Sequence, residues 1–333
     1  MRAFVTGATG FLGRRLVGAL LARGDEVRCL ARPSSDLNPL LELRPLPGRM
    51  CVVRGDLHCP DEFARQINGC DVIYHAAAEM RGATPVLFRS NVVATEEFIH
   101  AVAGRGVRRL VAISSLAVYL GAGDEREVLD EQSPLDPSPH LNYSYAYSKI
   151  VQERVTRQAA ADAGIELVVV RPGVIYGPGR DCLSTRVGIR LGRWVVMMGG
   201  EQTLPYTFVD NCAEAIALAG SVGGIGGEVF NVVDDDPPTA RQLLGKYRGR
   251  VEKLPTVRVP RSAIMPLSRL CLWYHQHSRG QLPAALTPYK SRVMWTPTRF
   301  SNAKAKQRLG WQPRVAFADG LARTFAAAAP GSN

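Results

Sequence analysis

The sequence predicts an α/β protein built on a doubly wound parallel sheet, with a smaller, mostly C-terminal lobe. Three observations predict it. Short apolar runs alternate with helical patterns through the first half of the 333-residue chain. The runs are apolar throughout, as strands covered on both faces must be. A glycine-rich turn joins the first strand to the first helix, which is how βαβ units that bind dinucleotides begin.

Taken in order, "RAFVTG" is a strand, "FLGRRLVGALLARG" a helix ending at Gly24, and "EVRCLAR" and "MCVVRGDL" the next two strands. A helix is expected around "PDEFARQING", a strand at "DVIYHAAA", a helix over "SNVVATEEFIHAVAGRG" and a strand at "RLVAISS". A helix carrying Tyr145 follows, and "IELVVVRPG" closes the series. This is the doubly wound, Rossmann-type pattern. Beyond Gly173 the regularity fades. "VVMMGG" reads as a short strand, "YTFVDNCAEAIALAG" as a strand end and helix, and "GEVFNVV" as another strand. From Asp234 the chain is richer in Pro and irregular, apart from helices near 239–248 and 303–309. The expected division is a dinucleotide-binding domain over 1–175 and a mainly substrate-binding lobe over 176–330. Within the latter, 208–233 is expected to return to the sheet.

With 46% hydrophobic residues the chain can bury a substantial core. Seven scattered cysteines without a CxxC pair suggest neither a disulfide framework nor a zinc site, and fit a reducing, cytoplasmic setting. Cys271, His275 and His277 lack a fourth ligand and read as packing and surface residues, so no metal is expected. No stretch approaches the length of a membrane span, and "MRAFVTG" leaves no room for a signal peptide before the first strand. The net charge of +11 is spread along the chain, which argues against a nucleic-acid-binding face.

"TGATGFLG" places Gly7, Gly10 and Gly13 between strand and helix, with Thr9, Phe11 and Leu12 completing the turn. Such glycines allow a tight turn, approach of backbone to a pyrophosphate and close helix packing. The helix N-terminus offers N–H groups to the phosphates. The second strand ends in Ala31 and Arg32 where an acid would hold the ribose hydroxyl of NAD. A guanidinium there suits a 2′-phosphate, so NADP(H) is favoured and NAD(H) stays possible. "GDL" puts Asp56, followed by Leu57, just past the third strand, where the acid can accept from an adenine amino group. Ala76, Ala77 and Ala78 end the fourth strand with side chains small enough for a cofactor to lie against. His75 reads as a packed residue, and Asn91 as a possible helix cap.

In "NYSYAYSKIVQE" only Tyr145 stands four residues before a lysine, Lys149, and so shares its helix face. An ammonium near a phenol stabilises phenolate and makes the group a usable acid or base. Tyr143 and Tyr147 read as packing or rim residues. Ser114 and Ser115 end a strand at the carboxyl edge of the sheet, where such folds place their ligands.

Together "TGATGFLG", "GDL", "HAAA", "SSLAVY", "YSYAYSK" and "RPGVIYGPG" resemble the extended short-chain dehydrogenase/reductase family, along nearly the whole chain. The resemblance implies Ser115, Tyr145 and Lys149 as the catalytic trio, Ser115 being chosen because it stands four before Tyr119. It also implies Asn91 near the cofactor and Pro172, Val174 and Ile175 beside the nicotinamide. Relatives that act on sugar nucleotides carry an Asn and an Arg where this chain has Gly173–Val174 and a Tyr206 without an adjacent Arg. Arg186, Arg190 and Arg193 are the available substitutes. "RPGVIYGPG", "LPYTFVDNCAEAIALA" and "YKSRVMWTPTRFSNAKAKQRLGW" look closer to the 3β-hydroxysteroid dehydrogenase branch, which resembles reductases of 2-alkyl-3-keto acids. One departure is "VYLGAG", one residue longer than usual.

The expectation is an NADP(H)-dependent oxidoreductase interconverting a ketone and a secondary alcohol on a largely apolar substrate. The alternatives are a nucleotide-sugar epimerase, dehydratase or reductase, and a non-catalytic cofactor sensor. A homodimer is possible. "SRLCLWYHQ" reads at most as a shallow surface helix, without stable membrane insertion.

Overall fold

Strands apolar along their whole length need cover on both sides, and helices supply it. The computed structural model describes residues 1–119, 128–278, 281 and 286–328. From the N-terminus run β1 (Arg2–Thr6), α1 (Phe11–Ala22), β2 (Glu26–Ala31), α2 (Asn38–Leu41), β3 (Arg49–Arg54) and β4 (Val72–His75). Next come α3 (Thr84–Phe88), α4 (Ala94–Val102), β5 (Arg109–Ile113), β6 (Val128–Leu129), α5 (Ser144–Asp162), β7 (Glu166–Pro172) and β8 (Val174–Tyr176). The later part holds β9 (Gly188–Leu191), β10 (Trp194–Met198), β11 (Tyr206–Phe208), α6 (Val209–Ser221), β12 (Val229–Val232), α7 (Ala240–Arg250) and β13 (Thr256–Val259). It ends with α8 (Arg261–His277), α9 (Pro288–Trp295), β14 (Arg299–Phe300), α10 (Ala303–Leu309) and α11 (Phe317–Ala328).

Seven strands form one parallel sheet in the order β12-β7-β5-β4-β1-β2-β3. The chain starts at β1, winds outward to β3, then returns through β4 to the other edge. The order therefore reverses between β1 and β4, and a crevice opens at the strand carboxyl ends there. On one face α1 and α6 bring Leu16, Val17, Leu20, Cys212 and Ile216 against Val5, Val72 and Val111. On the other, α4 and α5 bring Phe98, Ile99, Ala159 and Ala160 against Phe4, Ile73 and Leu110. A third core gathers Tyr176, Tyr206, Phe208, Tyr247 and Phe325. It lies beside the small sheets β8-β11 and β9-β10-β13.

Three expectations need correction. "PDEFARQING" forms two 3₁₀ turns, Pro60–Glu62 and Ala64–Ile67, and no α-helix. Phe63 between them leaves helical geometry at φ −124° and stacks on Phe4, ring centroids 6.0 Å apart. Burial of one aromatic ring outweighs the propensity of a short polar segment. The "SNVVATEEF" helix starts earlier, at Thr84, and contains a π turn over Arg89–Val93. Asn91 is thus interior to the helix and caps nothing. Third, the region after Asp234 is more regular than its composition suggests. Pro266 interrupts the helical pattern of α8 without ending the helix, since the rest of its length is continuous. The longer "VYLGAG" loop beyond Tyr119 and the last five residues of the "AAAAPGSN" tail lie outside the described residues.

No described helix is long and apolar enough to cross a membrane. Among the described residues no three His, Cys, Asp or Glu side chains gather as a metal site. His277 bonds the Trp273 carbonyl at 2.8 Å, one turn back along α8.

Candidate functional site

The turn between β1 and α1 is packed too closely for side chains. Gly7 adopts φ 68°, and a Cβ there would stand 2.7 Å from the Ala77 amide nitrogen. A Cβ on Gly13 would sit 2.0 Å from the Gly7 carbonyl oxygen. Glycine alone fits both places. The result is a groove walled by Gly7, Thr9 and Gly10 on one side and Ala76, Ala77 and Ala78 on the other, with Arg32, Asp56 and Leu57 at its far end. Ser35 and His58 also line it, unforeseen from the sequence. Arg54 fastens the Arg32–Ser35 turn through its bond to the Arg32 carbonyl at 2.8 Å. Asp56 accepts from the His58 amide and ring, which hold its carboxyl below the usual range.

Phe11 and Leu12 open α1, with the Arg180 guanidinium 5.4 Å from the Phe11 ring centroid. Pro172 ends β7, and Val174 and Ile175 begin β8, which pairs with β11. Asn91 is wholly buried. Its side chain accepts from the Glu79 amide at 2.7 Å and donates to the Glu79 carbonyl at 2.9 Å and the Ser148 hydroxyl at 3.0 Å. It therefore clamps the segment that follows Ala78 to α5.

Ser115 lies two residues beyond β5, capping a 3₁₀ turn, and half-buried Tyr145 lies in the first turn of α5, its hydroxyl hydrogen-bonded to that of Ser115. Burial pushes the Tyr145 phenol up to about 12, opposed first by the Ser115 hydrogen bond and then by the Arg180 charge. The expectation that Lys149 lowers this pKa needs correction. Lys149 is 2% exposed, and its ammonium donates to the Ile113 carbonyl and to Gln152 Oε1, each at 2.8 Å. It faces back toward β5, so the cation acting on the phenol is Arg180. Two of the three ammonium hydrogens are used, leaving one donor for a ligand. Burial pulls Lys149 down to about 7, and the Glu153 carboxylate one turn along opposes that loss. Tyr147 packs edge-on against Phe88, and Lys290 lies over the Tyr143 ring.

A buried hydrogen-bond chain joins Lys149 to the glycine turn. Gln152 bonds Thr95, Thr95 bonds His75, His75 bonds Thr6, and Thr6 accepts from the Ala77 amide. Its direction follows from counting protons. Thr95 spends its hydrogen on the Asn91 carbonyl, so it accepts from Nε2–H of His75. Nδ1 then accepts from Thr6, and the ring is neutral, consistent with burial that lowers His75 to about 3. Behind the trio, Glu153 bonds Ser114, Arg171 and Arg157, and Arg171 donates to the Tyr119 hydroxyl at 2.6 Å. Sequence reading missed Thr6, Thr95, Gln152 and Glu153. The spacing that singled out Tyr145 also marks Glu153, four residues beyond Lys149.

A glycine cradle that any Cβ would fill, facing small side chains across the groove, fits a dinucleotide. Comparison with known proteins agrees. Residues 3–232 match the model of the NAD dependent epimerase/dehydratase family. A 4-hydroxy-2-methyl-3-oxo-4-farnesyl-3,4-dihydroquinoline-1-oxide ketoreductase of Stigmatella aurantiaca is 31% identical, over 96% of this chain and 95% of that one. A 2-alkyl-3-oxoalkanoate reductase of Stenotrophomonas maltophilia is 29% identical over 99% and 100%. A 3-beta-hydroxysteroid dehydrogenase of Mycolicibacterium neoaurum is 28% identical over 94% and 87%. Among solved structures, a dTDP-glucose 4,6-dehydratase double mutant of Streptomyces venezuelae with NAD bound superposes with TM-score 0.74 at 25% identity, covering 98% of this chain and 96% of that one. With its glycine turn, parallel sheet and Ser115–Tyr145 pair in these positions, the chain belongs to the NAD dependent epimerase/dehydratase family, as an oxidoreductase of the extended short-chain dehydrogenase/reductase type.

Proposed function

We propose that the protein is an NADP(H)-dependent oxidoreductase that interconverts a ketone and a secondary alcohol on a largely apolar substrate. The observation that carries this reading is the Ser115–Tyr145 hydroxyl pair just past the carboxyl end of β5, with Lys149 one turn along α5 from the tyrosine. In the reducing direction Tyr145, whose phenol keeps its proton at neutral pH, gives that proton to the carbonyl oxygen. Ser115 donates a hydrogen bond to the same oxygen as charge builds on it. Lys149 uses its remaining N–H on the ribose hydroxyls, and the chain from Gln152 to Thr6 fixes its direction. The bound dinucleotide supplies the hydride that passes to the carbonyl carbon.

Two features favour an apolar substrate. A Cβ on Gly173 would lie 2.0 Å from the Pro205 carbonyl oxygen, so no polar side chain reaches out from that position toward a sugar or base. The ketoreductase and oxoalkanoate reductase names of the relatives point the same way. The likeness to a dTDP-glucose dehydratase keeps the nucleotide-sugar reading as the rival. Stoichiometry separates part of that rival: a ketone reductase consumes one equivalent of reduced cofactor per product, whereas an epimerase or dehydratase shows no net consumption.

Arg32 is exposed at the groove end and pairs with no acid there beyond the weak pull of Asp56. Arg32→Asp removes a bidentate partner for the 2′-phosphate and adds repulsion. Its kcat/KM with NADPH should fall roughly 100-fold while NADH gains, since a charge-assisted bond contributes about 1.5–3 kcal/mol. Unchanged preference in steady-state kinetics would remove Arg32 from the account.

A further inference from the structure

We propose that α8 is a docking surface for an anionic lipid membrane, on which the protein rests reversibly with the outward face of this helix in the headgroup layer.

The expectation that the excess charge is spread along the chain needs correction. Residues 253–318 hold twelve Lys and Arg and no Asp or Glu, so the other 267 residues sum to −1. The last cations of that segment are matched by acids of the first domain and its edge. Lys304 and Arg308 pair with Glu228, Lys306 with Asp235 and Arg314 with Glu214. Arg258 on β13 and Arg269 on α8 are exposed, and no described acid pairs with either. The unmatched part of the net charge thus lies around α8.

One side of α8 is packed. Ile264 meets Met198 and Trp295, and the Ser268 hydroxyl bonds that of Ser291 on α9 at 2.6 Å. Pro266, Leu270, Trp273, Tyr274 and His277 recur at helical spacing on the opposite side, and all five are exposed. Leu270, at 60%, is the most exposed large hydrophobic among the described residues, and Trp273 and Tyr274 stand at 53% and 54%. The Trp273 ring stacks on His277 with centroids 4.3 Å apart, which holds it along the outer face. An exposed apolar cluster of this kind marks an interaction surface.

Its composition selects the partner. Trp and Tyr rings suit the headgroup level, Leu the acyl boundary just below, and an adjacent Arg can reach lipid phosphates. A second copy of the chain would set one acid-free segment against the same segment across a twofold axis, cation against cation. A nucleic acid would meet Leu270 and Pro266, which offer nothing to its phosphates, at the middle of the face.

The surface also lies close to the reacting groups. α9, which packs on α8, donates the Tyr289 hydroxyl to Asp136 and places the Lys290 ammonium 5.4 Å from the Tyr143 ring centroid. Asp136 and Tyr143 belong to the segment that leads into Tyr145. If the substrate is apolar, as proposed above, it can pass from the lipid to the site without crossing open water; only this consequence rests on that reading.

The test is cosedimentation of the full chain with sucrose-loaded vesicles of phosphatidylcholine, alone or mixed with phosphatidylglycerol. No substrate is present, so failure of the ketone-reductase reading leaves the outcome untouched. The wild-type protein should bind the mixed vesicles at least about tenfold more tightly than the neutral ones, a preference that fades at high salt. Leu270→Ser, Trp273→Ser and Tyr274→Ser combined should weaken binding roughly tenfold or more, because the apolar contact is lost. Arg258→Glu with Arg269→Glu should remove most of the preference for the anionic lipid. These five side chains are exposed, so the denaturation midpoint should not move. Should it fall in the serine variant, the arginine variant decides by the same criterion. Absent binding, equal binding to both vesicles, or wild-type binding by the variants overturns the proposal. A dimer that the serine substitutions dissociate, without vesicle binding, would assign the face to a second copy. Retention on single-stranded RNA without vesicle binding would assign it to nucleic acid.

Discussion

Tyr145→Phe is expected to lower turnover by roughly 1,000-fold, in the range that a positioned acid or base contributes, while cofactor affinity stays within about twofold. Only the hydroxyl is removed, and the ring stays where it packs on α5. The wild-type phenol, held up to about 12 by burial, remains protonated across the neutral range. Ketone reduction by the native protein should therefore keep its rate between about pH 6 and 8 as far as this group is concerned. Alcohol oxidation needs the phenolate, so its rate should climb with pH through the alkaline range. The Arg180 charge and the Ser115 hydroxyl are the groups that ease that deprotonation. Retained turnover in Tyr145→Phe, measured with saturating cofactor, would remove this residue from the chemistry.

Gly13→Ala should produce the largest structural effect of any single methyl group. The added Cβ would stand 2.0 Å from the Gly7 carbonyl oxygen, 2.7 Å from the Gly7 carbonyl carbon and 2.9 Å from Ala8 Cα. All three are backbone atoms that no rotamer change can move aside. Either α1 shifts away from β1 or the turn opens, and Leu16, Val17, Leu20 and Leu21 lose packing with it. Overpacking of this kind costs about 3 kcal/mol, visible as a lower midpoint in chemical denaturation. Dinucleotide binding should weaken more than tenfold, because the same turn presents the helix N-terminus to the phosphates. An unperturbed midpoint together with normal binding would contradict the close approach on which the groove is built.

The parallel sheet was legible because its inner strands, from "RAFVT" to "ELVVVRP", are apolar on both faces and bounded by turn residues. The Tyr145–Lys149 relation was legible from helical spacing alone. What Lys149 does with its charge was not. Spacing puts two side chains on one helix face, but the carbonyl of Ile113 and the amide of Gln152 decide which way the ammonium turns. Likewise nothing local reveals that Asn91 sits inside a π turn, since the bonds that stabilise it run to Glu79 and Ser148. The same holds for Phe63, whose stacking on Phe4 across 59 positions of sequence breaks an expected helix. Arg180 went unremarked among the many arginines; its place over the Phe11 ring follows only from the fold.

The reading is tested most directly by following the near-ultraviolet absorbance of reduced nicotinamide against two substrate panels. One holds keto-steroids and long-chain 3-keto acids, the other UDP- and dTDP-keto-sugars. The account predicts consumption of NADPH confined to the first panel, one equivalent per alcohol formed. Turnover on the sugars, or product formed without net cofactor consumption, would contradict it and assign the arginines beyond β8 to a diphosphate instead.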